Sequence, residues 1–370
     1  MAGLGYTVCL LVTVALVCSA EPAQGSQKVP ETREEVIASF ASWVQRVGEK
    51  HAAWERAAKT ATTADEFASK VGETVIVVDQ SGAGNFKTVN EALNSIPEHS
   101  KSPVTIKVNA GTYNERVVIP KSKEFITLQG AGRDVTKITA SNAAGNSGTT
   151  YTSATFGVSA PHFTARNISF ENSSPPPDGG AQQQAVALRT TGDMNAFYGC
   201  AFYGHQDTLY DHRGRHFFKD TLIVGTVDFI FGDGKSLYKN CELRVLPSSG
   251  GSLTAQKRLS GSEDTGYSFV NCKVTGSGPP QVYLGRAWGP YSRVIFAFTE
   301  FANIIKPEGW YNWGDPSREK TVFYGMYKCF GPGASSPSRA YYSKELTDAE
   351  AAPFLSLNYI DGGLWVKEGI

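Results

Sequence analysis

Phe197-Tyr198-Gly199-Cys200-Ala201-Phe202, Tyr238-Lys239-Asn240-Cys241-Glu242-Leu243 and Phe269-Val270-Asn271-Cys272-Lys273-Val274 repeat one frame: an aromatic, a Gly or Asn before Cys, then an apolar residue two places on. Ala165-Arg166-Asn167-Ile168-Ser169-Phe170 and Phe296-Ala297-Phe298-Thr299-Glu300-Phe301 fit it more loosely. The pitch wanders, at 32, 41, 31 and 27 residues. Propeller blades and hairpin meanders hold a tighter period. Uneven coils with one inward-facing frame suit a parallel β-helix, in which each turn stacks equivalent residues on the next and loops bulge from a corner. Cys241 and Cys272 then sit one coil apart and are candidates for a disulfide. Cys200 stacking on Cys241, or all of them serving as small core residues, are the alternatives.

Around this region the texture is strand-rich. Thr74 to Val78 reads as a strand, and Thr88-Val89-Asn90-Glu91 as a capping box opening a short helix that ends at Pro97. Short β-forming stretches separated by Gly, Asn, Asp and Pro continue to about residue 330. Leu346-Thr347-Asp348-Ala349-Glu350 opens a second capped helix, expected as a lid over the last coil. Upstream, the apolar run Val8 to Val17 is too short to span a bilayer and is followed by Ser19-Ala20, which predicts a signal peptide over 1–20. Residues 21–72 read as a helical arm, with Val36, Ile37, Phe40, Trp43, Val44 and Val47 at helical spacing. The main domain is 73–370.

Composition narrows the function. Lys+Arg and Asp+Glu are balanced at 35 each, so bulk electrostatics gives no basic face for nucleic acid. With 41% hydrophobic and 19% charged residues, the chain is neither disordered nor membrane-embedded in composition. Gly-x-Ser-x-Gly, His-Glu-x-x-His and the phosphate-binding loop are all absent from the sequence. No cofactor or metal is expected: the cluster His205, Asp207, Asp211, His212 and His216 reads as strand and turn rather than a ligand set.

The densest polar segment is Gly204-His205-Gln206-Asp207-Thr208-Leu209-Tyr210-Asp211-His212. It is followed by Gly225-Thr226-Val227-Asp228-Phe229-Ile230-Phe231-Gly232, an acid inside an apolar, β-forming run. A carboxylate there is costly unless paired. Asp207 and Asp228 are 21 residues apart, about one minimal coil, and can share a face. Neighbouring carboxylates split their proton affinities, giving one nucleophile and one general acid. Arg286, in Leu284-Gly285-Arg286-Ala287-Trp288, can hold one of them ionised. Gln184 and Gln206 can donate N–H groups to a developing oxyanion. On the residues alone, two acids flanking a carbohydrate bond fit a glycosidase or lyase as well as an esterase.

At these positions the chain resembles the plant pectin methylesterase (pectinesterase) family, from about Val75 to Val366. The match includes Gly111-Thr112-Tyr113-Asn114-Glu115, Gln184-Ala185-Val186-Ala187-Leu188, Gln206 to Tyr210, Gly225 to Gly232 and Leu284 to Trp288. The resemblance implies an all-β, right-handed parallel β-helix with short flanking helices at both ends. It implies hydrolysis of methyl esters of polygalacturonate, releasing methanol. Asp228 would be the nucleophile, Asp207 the general acid/base, Gln184 and Gln206 the oxyanion hole, and Arg286 the partner of Asp228. Trp288, Tyr210, Phe231, Phe156 and Trp313 would line the sugar cleft. The partners implied are methyl-esterified homogalacturonan and a proteinaceous pectinesterase inhibitor, the location is the plant cell wall, and a monomer is the working unit. The length upstream matches the short form without an inhibitor-like pro-domain.

Departures from the family pattern are His205, where an aromatic is usual, and Ala287, where Pro is usual. A catalytically impaired pectin-binding protein of the same fold therefore stays as an alternative. A cysteine usual near Ser173 is missing, which leaves Cys200 without its partner. Of the sequons Asn167-Ile168-Ser169 and Asn172-Ser173-Ser174, Asn172 is expected to be the exposed one.

Overall fold

Val104–Val108 and Ile126–Gly130 each bury every second side chain, the two-residue period of a strand with one face in a core. The computed structural model describes residues 74–100, 102–247 and 250–366. The expected signal peptide and helical arm lie outside the described residues. Within them the strands form three sheets of eleven, eight and eight strands, and successive members are separated in sequence by a full coil. Neighbours pair in parallel throughout, for example Phe197 with Phe218, Phe218 with Tyr238 and Tyr238 with Phe269. The fold is a right-handed parallel β-helix. A capped helix, Val89–Ser95, packs at its N-terminal end, with Thr88 and Glu91 satisfying each other's backbone N–H groups.

The corner between the first and second sheets explains the repeated frame. Asn167, Gly199, Asp220, Asn240, Asn271, Phe298 and Lys328 all sit there with φ between 49° and 58°. Asn, Asp and Gly dominate the column because they tolerate the left-handed region best. The next residue turns inward: Ile168, Cys200, Thr221, Cys241, Cys272 and Thr299 are buried, and Cys329 is half-buried. Three residues before the five central ones, Cys200 to Thr299, an aromatic faces the core, with Ala165 and Met326 in that place on the flanking coils. Phe197, Phe218, Tyr238, Phe269 and Phe296 stack as successive rungs at 4.4–4.9 Å, each pair within 18° of parallel. That separation is the strand spacing itself, so the backbone ladder and the ring stack reinforce each other.

Several expectations are corrected here. The 41-residue gap in the frame holds two coils, because Phe218-Lys219-Asp220-Thr221-Leu222 is a rung with Thr in the Cys place. Cys200 therefore stacks on Thr221, not on Cys241. Cys241 and Cys272 are one coil apart, with the Cys241 N–H donating to Cys272 Sγ at 3.4 Å, but both thiols are free, as are Cys200 and Cys329. Each sulfur points at carbonyls of its own corner: Cys241 at Phe218 and Lys239, Cys272 at Tyr238 and Val270, all at 3.5 Å. Asn172 is buried, its amide donating to the Asn142, Ser153 and Val186 carbonyls, whereas Asn167 is exposed at the corner. The C-terminal helix is Asp348–Ala351, capped by Thr347 and Glu350 as expected. The segment it opens does not close the last coil. Ala351, Tyr359 and Ile360 cover Phe217, Leu237 and Ile295 on the outer face of the first sheet.

Candidate active site

The third sheet carries the polar motifs. Strands Leu188–Thr190, Leu209–Asp211, Ile230–Gly232, Gly251–Gln256 and Val282–Arg286 lie side by side in that order. Leu209 is in register with Ile230 and Tyr210 with Phe231, so Asp207 and Asp228, two residues before those strands, occupy equivalent places on adjacent coils. Neighbouring strands lie about 4.8 Å apart. Both acids adopt left-handed backbone, with φ of 67° and 49°. The turns are tied coil to coil: Thr226 N–H donates to the His205 carbonyl (2.9 Å), Asp207 N–H to Val227 (3.0 Å) and Asp228 N–H to Ser252 (2.8 Å). Gly225 has to be glycine, because a Cβ there would collide with Phe229 beside Asp228.

Arg286 reaches back to Asp228 across an intervening coil. Its register neighbour on that coil is Ala255, whose methyl leaves the side chain a path. Arg286 Nε donates to Asp228 Oδ1 (2.7 Å) and Oδ2 (2.9 Å), and Nη2 also donates to Oδ2. The Trp313 ring lies 4.2 Å from the guanidinium carbon, held by a left-handed residue with φ of 65°. Asp207 has no comparable support: its carboxyl makes no side-chain hydrogen bond among the described residues. Burial first, and then the adjacent Asp228 charge, push the Asp207 carboxyl well above the usual range, with Arg286 opposing. Burial also pushes Asp228 up, but the charge and N–H groups of Arg286 act against it. Of the two, Asp207 is the more inclined to hold a proton, and Arg286 draws Asp228 toward its ionised form.

Gln184 and Gln206 are half-buried, with their backbones in the ladder: Ala185 N–H donates to the Gln206 carbonyl at 3.1 Å, and Ala144 N–H to Gln184 at 2.8 Å. Neither side-chain amide is engaged with the described residues, which leaves both able to donate to a ligand. The predicted aromatics divide. Tyr210 stacks on Phe231 at 4.2 Å, Phe231 meets Trp288 at 6.1 Å, and these rings with Trp313 form one cluster on the outer face of the sheet. Phe156 is a correction: it is fully buried and packs on Phe163 and Phe170 inside the coil, because it sits in register with the inward-facing Leu188. Sequence reasoning missed Tyr151, which is 38% exposed and edge-on to Tyr210 and His212, with the Arg189 guanidinium 3.5 Å from its ring. An aromatic in the polar 141–153 loop was its only signal.

The His/Asp cluster is dispersed. Asp211 and His216 form a buried pair inside the coil, with Tyr238 OH donating to the same carboxylate at 2.7 Å, and His212 lies against Tyr210. Among the described residues, no three His, Cys, Asp or Glu side chains converge as metal ligands.

A profile described as Pectinesterase matches residues 75–363. "Probable pectinesterase 50" of Arabidopsis thaliana is 41% identical over 366 residues, 98% of either chain. "Probable pectinesterase 8" of the same plant is 46% identical over 301 residues, 79% of this chain and 76% of that one. Among solved structures, "Pectin methylesterase from Carrot" superposes with a TM-score of 0.74 at 37% identity, covering 79% of this chain and 94% of that one. With its coil, its paired acids and these relatives in agreement, the chain belongs to the pectinesterase family of carboxylic ester hydrolases.

Proposed function

We propose that this chain demethylates pectin, by a double displacement on the methyl esters of polygalacturonate. The observation that carries the reading is the asymmetry of the acid pair: Asp228 gripped through both oxygens by Arg286, and Asp207 unpartnered and inclined to hold a proton. A solved pectin methylesterase in complex with a hexasaccharide, 29% identical with a TM-score of 0.67 and covering 77% of this chain and 96% of that one, supports the substrate class.

An Asp228 oxygen attacks the ester carbonyl carbon. The carbonyl oxygen becomes an oxyanion and takes N–H donors from Gln184 and Gln206. As the tetrahedral species collapses, the C–O bond to the methoxy group breaks and Asp207 gives its proton to the departing oxygen, so methanol leaves. An acyl anhydride on Asp228 remains. Asp207, now ionised, takes a proton from water while the water oxygen attacks the acyl carbon. The anhydride C–O bond to Asp228 breaks, which frees a galacturonate carboxyl and restores both acids. Tyr210, Phe231, Trp288 and Trp313 offer flat faces to the sugar C–H surfaces. The apolar leader over 1–20 supports export to the plant cell wall.

The test is methanol release from highly methylated pectin by the wild type and by Asp228→Ala. A drop of at least about a thousandfold supports the nucleophile. Equal release from both would overturn the assignment, and reducing ends without methanol would indicate a glycosidase instead.

A further inference from the structure

We propose that Lys257 is a specificity residue of this cleft, which binds the free carboxylate of a galacturonate unit a few places along the chain from the ester being cut. Lys257 follows the strand Gly251–Gln256, and its N–H donates to the Gly232 carbonyl at 2.7 Å. Its ammonium lies 4.5 Å from the Trp288 ring centroid. The contact is built in. Gly289 N–H donates to the Gln256 carbonyl at 3.1 Å, and a Cβ on Gly289 would run into the Lys257 and Arg258 backbone. The two segments thus touch at the glycine, which sets the tryptophan against the lysine.

Two other cations at the cleft are committed, whereas Arg213, exposed beside Tyr210 and His212, is not held over a ring of the described residues as Lys257 is. Arg286 is spent on Asp228, and Arg189 is buried against Tyr151. Lys257 is half-buried and makes no ion pair among the described residues. The nearby carboxylate, Asp233, accepts from Thr265 Oγ1 at 2.7 Å and is not within ion-pair distance of Lys257. A cation fixed over a sugar-facing ring, with no direct ion pair among the described residues and only the more distant Asp233 charge nearby, suits an anionic sugar.

Position decides which unit it meets. Ser252 is the register neighbour of Asp228, and Lys257 lies five residues further along the strand direction, roughly 16 Å at the rise of an extended chain. The carboxylate it binds therefore belongs to a different unit from the one attacked. Free carboxylates exist only on units already demethylated, so each turnover on one unit creates the group that holds the chain for the next. The proposal rests on the esterase reading above and adds a preference to it.

The experiment compares methanol release from pectin of about nine-tenths and about one-half esterification, for wild type, Lys257→Met and Lys257→Arg. Lys257→Met is expected to raise KM about three- to fivefold on the half-esterified substrate, in line with a partly exposed charge contact, with kcat unchanged and little effect on the highly esterified one. Lys257→Arg should restore the preference, and about 1 M salt should abolish it. Equal effects on both substrates, or none on either, would overturn the proposal. Retardation of Asp228→Ala in a gel containing unesterified polygalacturonate, with and without Lys257→Met, reads the contact without turnover. Retardation that ignores Lys257 refutes the proposal while leaving the esterase intact. Lys257-dependent retardation in a chain whose wild type releases no methanol supports the contact and refutes the esterase alone.

Discussion

Replacing Arg286 with methionine keeps an unbranched apolar stem but removes the guanidinium that pairs with Asp228 and stacks on Trp313. The Asp228 side chain is 7% exposed and both of its oxygens accept from the guanidinium. Breaking a buried pair by deleting one member costs about 3–5 kcal/mol. The protein can avoid most of that cost by taking up a proton on Asp228, since burial already pushes this carboxyl upward and Arg286 is what opposes it. At about 1.36 kcal/mol per pKa unit, the penalty corresponds to an upward shift of roughly two to four units. The ionised nucleophile is then depleted at mildly acid pH, and methanol release falls with it. The rate should climb about tenfold per pH unit as the acid range is left, a slope the wild type lacks over the same interval. Stability carries the same signature. A folded carboxyl raised above its unfolded value holds a proton that the unfolded chain releases, so the variant loses stability relative to wild type as pH rises from about 4. The assays are pH–rate profiles of methanol release and thermal melts at matched pH. A variant slowed equally from pH 5 to 8, or altered in KM alone, would refute the reasoning.

The same sign applies to Asp207 in the wild type. With its folded carboxyl well above the usual range, melting temperature should fall as pH rises above about 4, and Asp207→Asn should flatten that slope while abolishing turnover; an identical slope in both would count against the assigned proton. Burial pushes the Cys200 thiol up to about 12 and Cys329 up to about 11, so a thiol reagent at pH 8 should react slowly with the native chain. After unfolding, all four cysteines beyond residue 20 should titrate, whereas a count of two would restore the Cys241–Cys272 disulfide. Phe218→Ala removes one rung of the buried ring stack and should cost about 3–5 kcal/mol in chemical denaturation, with KM unchanged at temperatures where the variant is folded.

Much of this molecule was written in local residue choice. The inward-turning corner needs a residue tolerant of positive φ and then a small or apolar one, and that requirement leaves a visible frame in the chain. Where chemistry varied within the requirement, as when Thr221 took the Cys place, the frame was lost to view and two coils were read as one. The acids, the glutamines and the arginine were likewise legible, because polar groups in an apolar β-forming run are conspicuous and their order matches a family pattern. Burial of single residues was not legible. Phe156 and Phe231 look alike in sequence, yet one faces the coil interior and the other the cleft, since a one-residue difference in register exchanges the two faces of a strand. Asn167 and Asn172 exchanged their expected places because a corner is exposed even when its neighbours form the core. On the residues alone the choice between a nucleophile and an acid stayed open, and only the family resemblance assigned it. Asp207 and Asp228 are the same residue in similar turns, and what separates them is an arginine 58 positions away that reaches one and supports it. Local sequence sets where the chain can turn and which groups stand at each turn; distant packing sets which of those groups are buried and which carry charge.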